Sequence, residues 1–116
     1  MQTLNCYKIE PKKKPKKYRT VDTLESIEKA VGGIPEFIKV KLRTGKQVSI
    51  VFDSTPMSIG YVKDYNFTLC VVPDNKKTWF DFCGPVLIMG REDDSLVDLE
   101  LEEAEIDELI SRPYDD

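Results

Sequence analysis

Two runs of alternating residues flank a single glycine turn, and they commit the chain to a sheet. Ile38, Val40 and Leu42 alternate with Lys39, Lys41 and Arg43, and Val48, Ile50 and Phe52 alternate with Gln47, Ser49 and Val51. A period of two puts successive side chains on opposite faces of a strand. Thr44-Gly45 between the runs supplies a residue that accepts positive φ, as a hairpin turn needs. The expected hairpin covers 34–42 and 46–53. One of its faces is apolar and packs on the core; the other is polar, with a basic first strand.

Other segments add to this sheet. Leu4 to Glu10 reads as a first strand and Tyr18 to Val21 as a short second one. Asp22 is placed to cap a helix, with Glu25 three residues on in capping-box spacing. Leu24, Ile27, Ala30 and Val31 share one face of that helix, and Gly32-Gly33 stops it. Ser54 to Asn66 reads as an irregular connection and Phe67 to Val72 as a strand. Trp79 to Phe82 leads into the apolar run Gly84 to Gly90, whose continuity predicts a central strand. Leu96 to Leu101 has a period near two. From Glu102 the pattern turns helical, with Ile106, Leu109 and Ile110 on one face and Pro113 as the stop. The predicted fold is α+β: one domain over 1–116, with a mostly antiparallel five- or six-stranded sheet, one internal helix and an acidic C-terminal helix.

Several chemistries are disfavoured by composition. The 116 residues include no histidine, which removes the Ser-His-Asp triad, the Cys-His pair and histidine-ligated metals. Cys6, Cys70 and Cys83 form no Cys-x-x-Cys pair and cannot complete a four-ligand zinc site without histidine. They read as reduced cysteines buried in strands. No phosphate-cradling glycine loop is present, and Glu92 to Asp98 lacks the spacing of a calcium loop. Asp53, Asp64, Asp74 and Asp81 read as turn residues. These observations predict a non-enzyme with no catalytic residue, no metal and no cofactor. The amino-terminal residues do not read as a secretory signal and no apolar stretch is long enough to span a bilayer, so a cytoplasmic protein without membrane contact is expected.

Charge is sorted along the chain. Residues 1–45 carry 11 basic and 5 acidic side chains, and residues 91–116 carry 2 and 12. The basic end centres on Pro11 to Lys17, read as a solvated loop because its lysines repel and its prolines lack an N–H. Lys12, Lys13, Lys14, Lys16, Lys17 and Arg19 have two readings: a solvated connection that protects a sheet edge, or a contact for phosphates or an acidic partner. No aromatics are interleaved among the lysines, and the chain is acidic overall, so direct nucleic-acid binding is disfavoured. Glu100, Glu102, Glu103, Glu105, Asp107 and Glu108 also have two readings. They are either the solvated face of an amphipathic helix or a DNA-like surface for a partner with a basic channel. A third arrangement lays this helix against the lysine loop, neutralising both. Tyr61, Tyr65 and Trp79 are read in loops, as cover for the sheet edge or as anchors for a partner protein.

Thr23-Leu-Glu-Ser-Ile-Glu-Lys-Ala-Val-Gly-Gly-Ile-Pro-Glu36 resembles the hallmark segment of a small family of unknown function found in phages, plasmids and their bacterial hosts. Thr23, Leu24, Glu25, Ile27, Lys29, Val31, Gly32 and Gly33 match its T-L-E-x-[I/L]-x-K-x-V-G-G helix. Gly84 to Gly90 is similar to the family's late strand, and Asp98-Leu99 to the residues before its terminal acidic helix. The resemblance implies a mobile-element setting and a compact α+β fold. It implies no activity and supplies no catalytic residue.

Together these readings point to a phage or mobile-element accessory protein in the bacterial host cell that binds and inhibits a host defence protein, of anti-CRISPR or anti-restriction type. The acidic helix would make the contact and the aromatics would anchor it. The alternative is a small-ligand binder for a nucleotide signal, with Lys12 to Lys17 and Arg19 on the phosphates. A third possibility is a structural or regulatory module that homodimerises through an exposed strand edge; for the chain in general a monomer or a homodimer is expected.

Overall fold

The structure is a computed structural model describing residues 2–41, 45–53, 65–71 and 78–110. The elements run β1 (Thr3–Ile9), β2 (Lys16–Val21), α1 (Leu24–Val31), β3 (Pro35–Lys41), β4 (Gln47–Asp53), β5 (Tyr65–Val71), β6 (Thr78–Cys83), β7 (Val86–Glu92), β8 (Ser95–Val97) and α2 (Glu103–Leu109). The fold is α+β and mostly antiparallel, as the alternation and the apolar run predict. A six-stranded sheet has the order β2-β1-β7-β4-β3, with β8 paired to β7, and β5 and β6 form a separate two-stranded ribbon.

Central position explains the sequence of β7. It lies between β1 and β4, with Ile88 opposite both Tyr7 and Ile50. Val86, Leu87, Ile88 and Met89 are all fully buried, so both faces of this strand are covered. The odd and even residues enter two separate cores. On one face Tyr7, Ile9, Val48, Ile50, Val86 and Ile88 pack with Phe67 and Phe82 of the ribbon and with Leu101, Ile106 and Ile110 of the terminal segment. Phe82 meets Phe52 edge-on, with ring centroids 5.1 Å apart. On the other face Leu4, Cys6, Val51, Leu87 and Met89 pack under Ile27, Ala30 and Val31 of α1. The protein is thus a three-layer stack: α1, the sheet, then the ribbon with α2.

This stack corrects the expectation that β4 has one polar face. Ser49 and Val51, on the side read as polar, are both fully buried. The alternation gave the faces correctly, but the second face lies under α1 instead of water. Other boundaries also shift. Lys16 and Lys17, read as loop, belong to β2, opposite Lys8 and Tyr7, because β1 offers an extended partner that local charge repulsion does not outweigh. The helix cap is Thr23, not Asp22: its extended backbone (φ −136°, ψ 148°) and side-chain oxygen, which accepts from the Ser26 amide, meet the N-cap requirement. Leu24, expected on the buried face, is 60% exposed, since the first helical residue overhangs the sheet. Tyr65 and Trp79, read in loops, lie in β5 and β6, opposite Cys83 and Cys70. The period-two stretch is strand only over Ser95–Val97. Tyr61, Asp64, Asp74, Pro113 and the Thr44 turn position lie outside the described residues.

Four hydrogen bonds tie the ribbon and the terminal segment to the sheet. Asn66, buried in β5, donates from Nδ2 to the carbonyls of Ile9 and Gly84, each at 2.8 Å, joining the ribbon to the end of β1 and to the β6–β7 turn. Past β8, Asp98 Oδ1 accepts from the Asn5 amide (2.8 Å) and the Leu99 amide donates to the Asn5 carbonyl (2.9 Å). Both backbone groups of Asn5 are therefore taken by the segment that leads to α2. Gly90 makes that path possible, because a Cβ there would lie 2.5 Å from the Asp98 carbonyl oxygen.

Candidate functional site: an acidic helix and a cationic cleft

The acidic segment is held by its apolar side. Leu101, Ile106 and Ile110 are buried and Leu109 is half-buried, so the face read as packing inward does so. Lys46 Nζ donates to the Glu100 carbonyl at 2.8 Å, tying the start of the segment to the strand hairpin. The first turn of α2 is acidic, which suits the positive end of a helix dipole. Glu105 Oε1 accepts from the Glu102 amide at 3.2 Å, the returning half of a capping box. Glu105 is therefore half-buried and has a structural task. Glu100, Glu102, Glu103 and Asp107 are exposed. Glu108 lies in α2, and its side chain is outside the described residues.

The N-terminal cations do not neutralise this helix. Lys16 and Lys13 pair instead with Glu10, at 2.9 and 3.3 Å. Those two lysines hold the Glu10 carboxyl below its ordinary value, Lys16 contributing most through its hydrogen bond. Arg19 Nε donates to Asn5 Oδ1 at 3.2 Å. Lys12 and Lys14 are exposed, Lys12 sitting in the turn at φ +63°. Lys8 Nζ lies 5.1 Å from the centre of the Tyr18 ring, a cation–π contact on the α1 side of β1 and β2. Among the described residues, no lysine or arginine forms an ion pair with Glu100, Glu102, Glu103 or Glu105. The six predicted cations are thus spread over a turn and both faces of an edge strand.

A second cluster was not singled out from the sequence. The eight residues of α1 rise about 12 Å, while a seven-residue strand runs about 23 Å. The helix therefore leaves part of its face of the sheet uncovered. There, Lys39, Lys41, Gln47, Arg91, Asp93 and Asp94 line an open cleft of about 390 Å³. Arg91 Nη1 donates to the buried Ser49 hydroxyl at 2.9 Å. Asp94 Oδ1 lies 3.3 Å from Lys39 Nζ and 3.6 Å from Arg91 Nη2. The alternation of Lys39 and Lys41 was the available signal. Their partner Arg91 is 50 residues away and reaches them only because β7 lies beside β4.

Of the three cysteines expected to be buried in strands, Cys6 is buried in β1, Cys83 at the end of β6 is only half-buried, and the side chain of Cys70 lies outside the described residues. Cys6 and Cys83 are free thiols, and Cys70 lies in β5. Burial pushes the Cys6 thiol up to about 12. Cys83 is also raised, by burial first and by the nearby Asp81 charge second. A thiol held neutral this way is a poor nucleophile. Among the described residues, no helix is long and apolar enough to cross a membrane.

No family model, curated protein or solved structure matches the chain.

Proposed function

We propose that this chain is a non-enzymatic accessory protein of a phage or other mobile element that binds and inhibits a host defence protein of anti-CRISPR or anti-restriction type. The contact surface is the acidic terminal segment, and the partner is a nucleic-acid-binding enzyme whose basic channel accepts carboxylates in place of phosphates. The mobile-element setting rests on the resemblance of residues 23–36. The observation that carries the contact is that Glu100, Glu102 and Glu103 are exposed and their carboxylates form no ion pair among the described residues, while Lys13 and Lys16 are engaged with Glu10. Exposed carboxylates along a segment anchored by Leu101, Ile106 and Ile110 concentrate negative charge on one surface, which favours fast, charge-steered association.

The test separates surface charge from helix capping. Glu102→Lys with Glu103→Lys reverses charge at exposed positions, and Glu105→Gln keeps the capping oxygen while removing one charge. Tagged protein is incubated with lysate of a host carrying CRISPR and restriction enzymes, and retained species are identified. Retention of such an enzyme by the wild type and by Glu105→Gln, with loss in the double reversal, supports the reading. Equal retention by the double reversal, with unchanged circular dichroism, rejects the acidic segment as the contact.

A further inference from the structure

We propose that the cleft beyond α1 binds a small oxyanion, a phosphate group, held by Arg91, Lys39 and Lys41. This site is separate from the acidic segment and does not depend on the function proposed above.

Arg91 carries the argument. Its side chain is only 10% exposed, and its Nε is a buried donor with no hydrogen-bond partner among the described residues. Its ionic partner there is Asp94, whose side chain is 94% exposed and shared with Lys39. A guanidinium taken out of water needs full compensation, and a solvated, shared carboxylate at 3.6 Å provides little of it. Lys41 has no ionic partner among the described residues and lies on the same face, two residues from Lys39. Asp93 and Asp94 are exposed in the β7–β8 turn, so both move without disturbing a core. The cations are carried on a fixed backbone: Lys39 and Lys41 sit opposite Ser49 and Gln47 in the ladder, and the Arg91 side chain is pinned by Ser49. A forked guanidinium flanked by two ammonium groups on rigid strands suits the oxygens of a phosphate. The cleft volume of about 390 Å³ admits a small phosphorylated molecule. Asp94 acts as an internal stand-in that the ligand displaces.

The experiment is an amide NMR titration of the full chain at pH 7 and constant ionic strength. Inorganic phosphate is the first probe and glycerol 3-phosphate the second. The expected result is saturable shifts at 39–41, 47 and 91–94. Asp94→Asn should tighten binding several-fold by removing the competitor. Lys41→Gln, an exposed change that leaves the fold intact, should weaken it about tenfold, the loss of one charge-assisted contact. Tighter binding of glycerol 3-phosphate identifies an organic phosphate as the ligand class; equal or weaker binding identifies the inorganic ion. Non-saturating shifts centred on Lys12 to Lys17, or an affinity unchanged in both Lys41→Gln and Asp94→Asn, overturn the proposal.

Discussion

The Asp53 carboxylate occupies the space beside Gly33 in which a Cβ would have to lie. The pair joins the end of α1 to the last residue of β4. It also separates the two glycines that close the helix. Gly32 takes the left-handed conformation (φ +80°) and its amide donates to the Glu28 carbonyl, whereas Gly33 is not at positive φ and is glycine for want of room.

Gly33→Ala should therefore destabilise the fold through overpacking, by about 1–3 kcal/mol. The penalty should shrink in an Asp53→Ala background, because the clashing Cγ and carboxylate oxygens are then gone. Urea denaturation of the four proteins of this cycle measures the coupling, and additive losses would refute the steric account.

Gly90→Ala should cost about 2 kcal/mol or more, since the obstacle is backbone and cannot rotate away. The segment after β8 should lift from β1. Amide hydrogen exchange at Asn5 and Leu99 should quicken before exchange in the rest of β1 and β7 does.

Asn66→Leu should lose about 2–4 kcal/mol, because two carbonyls in a buried corner lose their donor. Asn66→Asp should be at least as damaging, as it sets a carboxylate against the Ile9 and Gly84 carbonyls. Thermal unfolding of both variants checks the order.

The Cys6 thiol gives a pH signature. Its folded value is raised to about 12 from an ordinary 9.0. Between those values the unfolded chain has released the proton while the folded chain retains it. The contribution is thus fully present below pH 9 and is lost as pH rises toward 12. Wild-type stability should fall more steeply above pH 9 than that of Cys6→Ala, measured by denaturant titration at several pH values. Parallel slopes would place the thiol in water.

Local pattern was legible where one element decides it. The alternation of Ile38 to Phe52 marked β3 and β4, the run Val86 to Met89 marked a doubly buried strand, and Ile106, Leu109 and Ile110 marked the inward face of α2. The exposure of Glu103 and Asp107 follows from the same helical period, whereas Glu100 and Glu102, read on the same helix face, precede α2, and Glu105 is half-buried. Lys16, Lys17, Tyr65 and Trp79 were misplaced because strand pairing with β1 and between β5 and β6 outweighs local propensity.

By itself the sequence determined which side chains share a face, since a strand period of two and a helix period near 3.6 are properties of the local backbone. Only the tertiary structure decided what lies against each face. It put Ser49 and Val51 under α1, set β7 between β1 and β4, and brought Arg91 to Lys39 across 52 residues of chain. The physical reason is that burial and charge proximity are set by long-range strand order, to which hydrophobic periodicity is blind.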